Sequence, residues 1–346
     1  AKVIEVEIEG PYGKIPCRLH YPRISDQPMG MMLYAHGGSL YLGNNDTHSR
    51  IMRTLTEKSD TVVIGVDYHL APQNRFPKWI EECVVATKYF RAHAAEYGLD
   101  ANDVSFAGDS AGAWLSMATM LWLRDEDPDI SYVTSLLLYY GLYGMYDSPT
   151  QRLYGNEIDG MMREYDEKLY PASIVDEEDV KSPHCDLLYN DLTQNVPPCF
   201  ICTGTIDPLA DNSTLLYSIL KDKGMPCELK LYPGIMHSFL HYSRMLPAAM
   251  EAMELGVGDT ITVYKANMII PQIAESKETG IILQTKNTSV RQIKIQKEKE
   301  YGQNKYKEQK DHCADLDDAG AGYDLCFALS SLYVLYSVAG SNESGR

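Results

Sequence analysis

The sequence predicts an α/β fold, a mostly parallel central sheet with helices on both faces, and three observations point to it. Short, continuously apolar runs alternate along the chain with longer helix-like stretches. The runs lack the in-and-out polar alternation of a half-exposed sheet, as expected of strands covered on both faces. One run, Val104-Ser105-Phe106-Ala107, leads through Gly108-Asp109-Ser110-Ala111-Gly112 into a helix-like stretch from Trp114 to Leu123. The 346 residues, 45% of them hydrophobic, suffice for a large buried core.

Taken in order, the chain opens on a strand-like Val3-Ile4-Glu5-Val6-Glu7-Ile8. Further strands are expected near residues 31 to 35, 61 to 66, 103 to 107, 134 to 139, 199 to 204 and 226 to 231. Helical stretches fall near 48 to 58, 77 to 97, 110 to 124 and 211 to 223. The segment of about residues 142 to 190 breaks this rhythm, being far longer than the roughly two to six residues that usually join such elements. Rich in tyrosine, methionine and charge, it is expected to form a helical cap insertion. Its Tyr143, Met145, Met161 and Met162 either line a pocket or pack the insertion onto the body.

The Gly-x-Ser-x-Gly turn reads as a nucleophile elbow, in which small flanking residues let a strand bend sharply into a helix and push the serine hydroxyl outward. A serine hydroxyl is a weak nucleophile at neutral pH and needs a base, itself oriented by a third group. Both follow downstream. Asp207 leaves the apolar run Cys199 to Gly204, where a parallel sheet gathers its functional groups. It could instead cap the following helix, a task for which Asp211 is better placed, and Asp211 is also the fallback acid. His237 lies in the Pro233-Gly234 loop after the strand candidate ending at Leu231, a position favoured over His241 four residues on. His36-Gly37-Gly38-Ser39 follows Met31 to Ala35, and its bare amides can approach a ligand closely. The amides of Gly37, Gly38 and Ala111 are therefore expected to form an oxyanion hole.

These segments, with Gly43, Tyr68-His69-Leu70-Ala71-Pro72, Asp207-Pro208-Leu209 and His237-Ser238-Phe239, resemble the hormone-sensitive-lipase family of α/β-hydrolases. Within it, the chain is most similar to the bacterial acetyl esterases, as Leu121 to Asp125, Tyr140 to Gly144, Val196 to Phe200 and His241 to Arg244 also suggest. The likeness runs from roughly residue 3 to residue 257. It implies an α/β-hydrolase fold and cofactor-free hydrolysis of short acyl esters, acetyl in particular, through an acyl-enzyme. It carries over Ser110, Asp207 and His237 as triad and Gly37, Gly38 and Ala111 as oxyanion donors. The chain departs from the family pattern in Ser39, where a third glycine is usual, and in Gln73, where a glutamate is usual. Against the family pattern, a strand-like segment stands near residue 3 where a helical lid is usual, and the chain is expected to run past the point where relatives end. A binding or regulatory module on the same scaffold is the alternative reading; related receptors that lost catalysis also lost the histidine, which is present here.

Net charge is −17, and it comes almost wholly from residues 1 to 258, since the remainder holds eleven basic residues against twelve acidic. Such a surface repels nucleic-acid phosphates and anionic membranes, so neither is an expected partner, and the resemblance implies a small-molecule ester instead. Eight scattered cysteines behind no secretory segment fit reduced thiols in a cytoplasm. Cys199 and Cys202 have metal-like spacing, but an offset of three along a strand places them on opposite faces, so no metal is expected. The catalytic domain is expected to span residues 1 to 258. Beyond it, residues 259 to 346 read as an atypical C-terminal extension, lysine-rich over 286 to 311 and apolar over 325 to 339. That apolar stretch is shorter than the roughly 20 residues a membrane span needs, so it reads as a packing or association segment, or as unrelated appended sequence.

Overall fold

The computed structural model describes residues 2 to 260 apart from 128, 146, 159 to 174 and 177. The chain divides into two compact units, Ala1–Ala274 and Glu275–Arg346, and every described residue lies in the first. The expected features of the C-terminal extension, and Met161 and Met162 of the insertion, lie outside the described residues.

Eight strands form one sheet: β1 Lys2–Gly10, β2 Gly13–Tyr21, β3 Met29–Ala35, β4 Val62–Val66, β5 Leu99–Asp109, β6 Val133–Tyr139, β7 Cys199–Gly204 and β8 Cys227–Tyr232. Their spatial order is β1-β2-β4-β3-β5-β6-β7-β8. The pairs from β4 to β8 are parallel, while β1 and β2 attach at one edge as an antiparallel hairpin. Strands β4, β6 and β7 are buried at every residue, which is why their sequences are apolar without alternation.

Helices α1 Ser49–Ser59, α2 Lys78–Ala92, α3 Ala94–Tyr97, α4 Ala111–Glu126, α5 Pro149–Ile158, α6 Ala210–Asp222 and α7 Pro247–Leu255 complete the described body. The stretch expected as one helix over 77 to 97 divides at His93, which caps α2 and opens α3. Two hydrophobic clusters result. One holds Met31, Leu33, Val62, Ile64, Cys199 and Ile201; the other holds Met32, Tyr34, Val63, Phe200 and Cys202. Successive residues of each strand thus enter different clusters, as the two-residue period requires. Cys199 and Cys202 separate in the same way, as their spacing predicted.

Helix α4 lies against β3, β5 and β6, and 13 of its 16 residues are buried. Its sequence is apolar on all sides, the pattern of a helix enclosed by protein rather than one resting on a surface. Of the insertion, the described part contains α5 and two short 3-10 turns, Asp179–Lys181 and Leu187–Tyr189. Tyr143 is fully buried in the first cluster, so it packs the insertion onto the body. Asn212 of α6 holds the segment's start, accepting the Tyr143 and Met145 amides at 3.0 Å each and donating to the Met145 carbonyl.

Candidate active site

The chain passes from β3 to β4 on one side of the sheet and then returns to place β5 on the other side of β3. Loops leaving β3 and β5 therefore diverge around a crevice at the strands' carboxyl ends, where open α/β sheets bind ligands. Ser110 leaves β5 here with φ 54° and ψ −122°, a left-handed backbone that a serine adopts only under constraint. The two elbow glycines supply the constraint. A Cβ on Gly108 would lie 2.2 Å from the Gly112 carbonyl oxygen, and one on Gly112 would lie 2.1 Å from that of Ala35. Strand and helix close on each other through these two bare positions. The Ser110 amide donates to the Tyr139 carbonyl at 2.9 Å, and its own carbonyl accepts the Ala113 amide at 3.0 Å, so the backbone on both sides of the hydroxyl is tied.

Three residues far apart in the chain meet at that hydroxyl. His237 Nε2 lies 2.9 Å from Ser110 Oγ, and His237 Nδ1 lies 2.8 Å from Asp207 Oδ2. Asp207 is fully buried, and its other oxygen accepts the Leu209 amide at 2.7 Å. A local turn bond to the Leu209 amide and the histidine contact are thus served by the two oxygens of one carboxylate, while the following helix has no side-chain cap. Asp211 stands apart, accepting the Thr150 amide at 2.8 Å. The ring of Tyr140 packs edge-on against His237 at 5.0 Å between centroids and limits how that imidazole can turn.

The glycine loop after β3 differs in one respect from the sequence expectation. The Gly37 amide donates to Asp109 Oδ1 at 3.0 Å, whereas an oxyanion donor points its N–H at the substrate oxygen. Gly38 (φ 116°) and Ser39 (φ 54°) follow in left-handed backbone, and among the described residues their amides have no intramolecular acceptor. Ala111 opens α4, where the first amides lack intrahelical partners. Gly38 must be glycine, because a Cβ there would meet the Leu42 carbonyl oxygen at 2.2 Å. His36 stacks on Tyr68 with 4.4 Å between centroids, and its Nδ1 lies 2.8 Å from the Gly37 carbonyl. Burial holds its pKa down at about 4, so it braces the loop as a neutral ring.

Asp109, the variable residue of the elbow motif, is the member the sequence did not single out. It is 1% exposed and stands beneath the loop. Its Oδ1 accepts the Tyr34 hydroxyl at 2.5 Å as well as the Gly37 amide, while Oδ2 lies 3.4 Å from the Tyr140 hydroxyl. His48 Nε2 lies 3.5 Å from Oδ1, and His241 Nε2 lies 4.0 Å from Oδ2. Burial alone would raise the Asp109 carboxyl, but His48 and the Tyr34 hydroxyl outweigh it and hold the group below the usual carboxylate range. Burial works against charge on His48 too, yet the Asp109 carboxylate raises its pKa on balance. No sequence spacing announces this arrangement, because its members come from five separate segments.

A strained serine at a strand-to-helix elbow, an imidazole and a buried carboxylate in line, and free amides alongside are the parts of an α/β-hydrolase-type acyl-transfer site. Residues 32 to 241 match the model of a family described as having the alpha/beta hydrolase fold, and the chain belongs to that family. It is 47% identical over 249 residues to an acetyl esterase of Salmonella typhi, a match covering 72% of this chain and 76% of that one. Among solved structures it resembles an esterase of Pyrobaculum calidifontis, with 29% identity and a TM-score of 0.69 over 76% of this chain and 86% of that one. It also resembles a thermostable carboxylesterase cloned from a metagenomic library, with 27% identity and a TM-score of 0.70 over 76% and 89% of the two chains.

Proposed function

We propose that this chain is a serine carboxylesterase that hydrolyses short-chain acyl esters, acetyl esters in particular, through a covalent acyl-enzyme. The observation that carries the reading is the hydrogen-bonded line from Ser110 Oγ through His237 to Asp207. In acylation His237 Nε2 takes the Ser110 proton as Oγ attacks the ester carbonyl, and the imidazole then returns that proton to the departing alcohol. Asp207 holds the ring in the tautomer with its proton on Nδ1 and stabilises the imidazolium that forms. In deacylation the same histidine activates water against the acyl-enzyme. The developing oxyanion is received by the amides of Gly38 and Ala111, with Ser39 next in the loop as a third free donor. Gly37 contributes indirectly: its bond to Asp109 fixes the loop that presents Gly38. The acetyl preference is supported by the likeness to acetyl esterases.

We further take residues 1 to 258 as the catalytic domain and 259 to 346 as a separate extension, a division supported by the end of the family match at residue 241 and by the change in composition. A cytoplasmic location is supported by the six described cysteines, none of which is joined in a disulfide among the described residues. Among the described residues no helix is long and apolar enough to cross a membrane. The test is a panel of p-nitrophenyl esters from two to twelve acyl carbons. Activity is expected to peak at the shortest chains and to vanish with Ser110→Ala. A panel hydrolysed by neither protein favours the binding-module alternative, and one hydrolysed equally by both refutes the assignment of Ser110.

A further inference from the structure

Beneath the glycine loop, we propose, His48, Asp109 and His241 form a binding site for a divalent first-row transition ion of the Zn²⁺ class, distinct from the triad and inhibitory to it through the loop that Asp109 braces. One donor atom from each residue lies within 4.8 Å of the other two. The spacings from carboxylate to imidazole, 3.5 Å to His48 and 4.0 Å to His241, exceed the roughly 2.7 to 3.2 Å of a made hydrogen bond. They lie close to the separation of about 3.4 Å between neighbouring ligands of a tetrahedral ion with bonds of about 2.0 to 2.2 Å. Closing onto such an ion requires the His48 and His241 rings, whose donor atoms lie within 4.8 Å, to draw together.

The surroundings are those of a built site. His48 Nε2 is buried without a hydrogen-bond partner, on a side chain 5% exposed. The other nitrogen of that ring, Nδ1, lies 2.9 Å from Thr47 Oγ1, a contact that keeps Nε2 facing the carboxylate in the manner of an outer partner to a metal-bound imidazole. Asp109 is gripped on Oδ1 by Tyr34 and Gly37, as ligating carboxylates commonly are, while Oδ2 has only the long Tyr140 contact. His241, at 35% side-chain exposure, gives an ion its way in from solvent. Two imidazoles and one carboxylate with a fourth position open suit Zn²⁺, Co²⁺, Ni²⁺ or Cu²⁺ and not Mg²⁺ or Ca²⁺, which take oxygen ligands. Because the same carboxylate holds Gly37, an ion drawing on Asp109 displaces the loop that carries Gly38, and the expected effect is a lower kcat.

The experiment is calorimetric titration of the chelator-stripped full chain with Zn²⁺, repeated on Ser110→Ala and His241→Ala. One ion per chain is expected to bind the parent and Ser110→Ala alike, with affinity weakened about tenfold or more in His241→Ala, the least that loss of a ligand should cost. Parallel assays should show reversible loss of esterase turnover in Zn²⁺, restored by EDTA. Thermal melts verify that the variant is folded, and His241→Gln provides a second, more conservative one. No binding to the parent, or unchanged binding in both His241 variants, overturns the site. Since binding in Ser110→Ala is read without catalysis, failure of the esterase reading and failure of this one are distinguished.

Discussion

The β1–β2 hairpin and the carboxyl ends of β3, β5 and β6 belong to one sheet but are built on opposite principles. In the hairpin the two strands pair in unbroken register from Lys2 opposite Tyr21 to Gly10 opposite Gly13. Its charged side chains, such as Glu7 and Lys14, stand in water with 3.5 Å between them. At the strand ends the backbone enters left-handed conformations at Gly38, Ser39, Leu40, Ser110 and Tyr140. There a buried carboxylate, two buried imidazoles and two buried phenols share a few ångströms. Regular pairing makes the hairpin tolerant of change, whereas strain and buried charge at the strand ends are sustained only because the surrounding core over-determines them. Substitutions should therefore cost function at one place and almost nothing at the exposed positions of the other.

The contrast is broken most directly at Ser110. Ser110→Ala is expected to lower kcat by about 10⁶ with little change in melting temperature, as when a triad serine is removed elsewhere. A residual rate near the parent's on p-nitrophenyl acetate would remove the nucleophile from this edge. Asp207→Asn comes next, at about 10⁴ in kcat, because an amide there favours the wrong imidazole tautomer; stopped assays on the same ester measure it. A KM effect without a kcat effect would show that Asp207 only caps the loop through Leu209.

His20 sharpens the comparison from within the hairpin, since it is 3% exposed and neither ring nitrogen has a partner. Burial first, then Arg18 and Arg53, lower its pKa from 6.5 to about 4. The unfolded chain therefore binds the extra proton first as pH falls. The stability His20 contributes is complete above pH 6.5 and is lost as pH falls to about 4, on the order of 2 to 3 kcal/mol. His20→Leu is expected to shrink the difference in urea midpoint between pH 7 and pH 4.5, and an unchanged difference would place the acid sensitivity elsewhere. The smallest effect is expected from Glu7→Gln, whose exposed ion pair with Lys14 should be worth less than about 0.5 kcal/mol in the same urea experiment. A loss several times larger would mean that the hairpin is not the tolerant region its regularity suggests.

Much of the architecture was legible in residue patterns. The buried strands announced themselves through unbroken apolar runs, and the elbow, the glycine loop and the Asp207 and His237 turns each lay just after one. Strand β2 went unread because Pro16 and the charged Lys14 and Arg18 interrupt it, although Ile15, Cys17 and Leu19 point inward at the required two-residue spacing. Helix α7, Pro247–Leu255, carries its signal in a proline at its start and an apolar face. The Asp109 arrangement was of another kind: Tyr34, Gly37, His48, Tyr140 and His241 acquire a shared partner only once the sheet order is known. Gly37 shows the same limit, since a motif gives a residue's place in a loop but not the direction of its N–H.

The enclosure of α4 reaches beyond the chemistry at its first turn. A helix sealed against strands and neighbouring helices exchanges its central amide protons only when the whole unit opens, whereas exposed turns exchange by local fraying. The nucleophile is thus mounted at the start of a helix that, among the described residues, is expected to open only with the body around it. Heat inactivation should follow the cooperative melt itself, with no earlier stage in which an intact fold has lost its reactive serine.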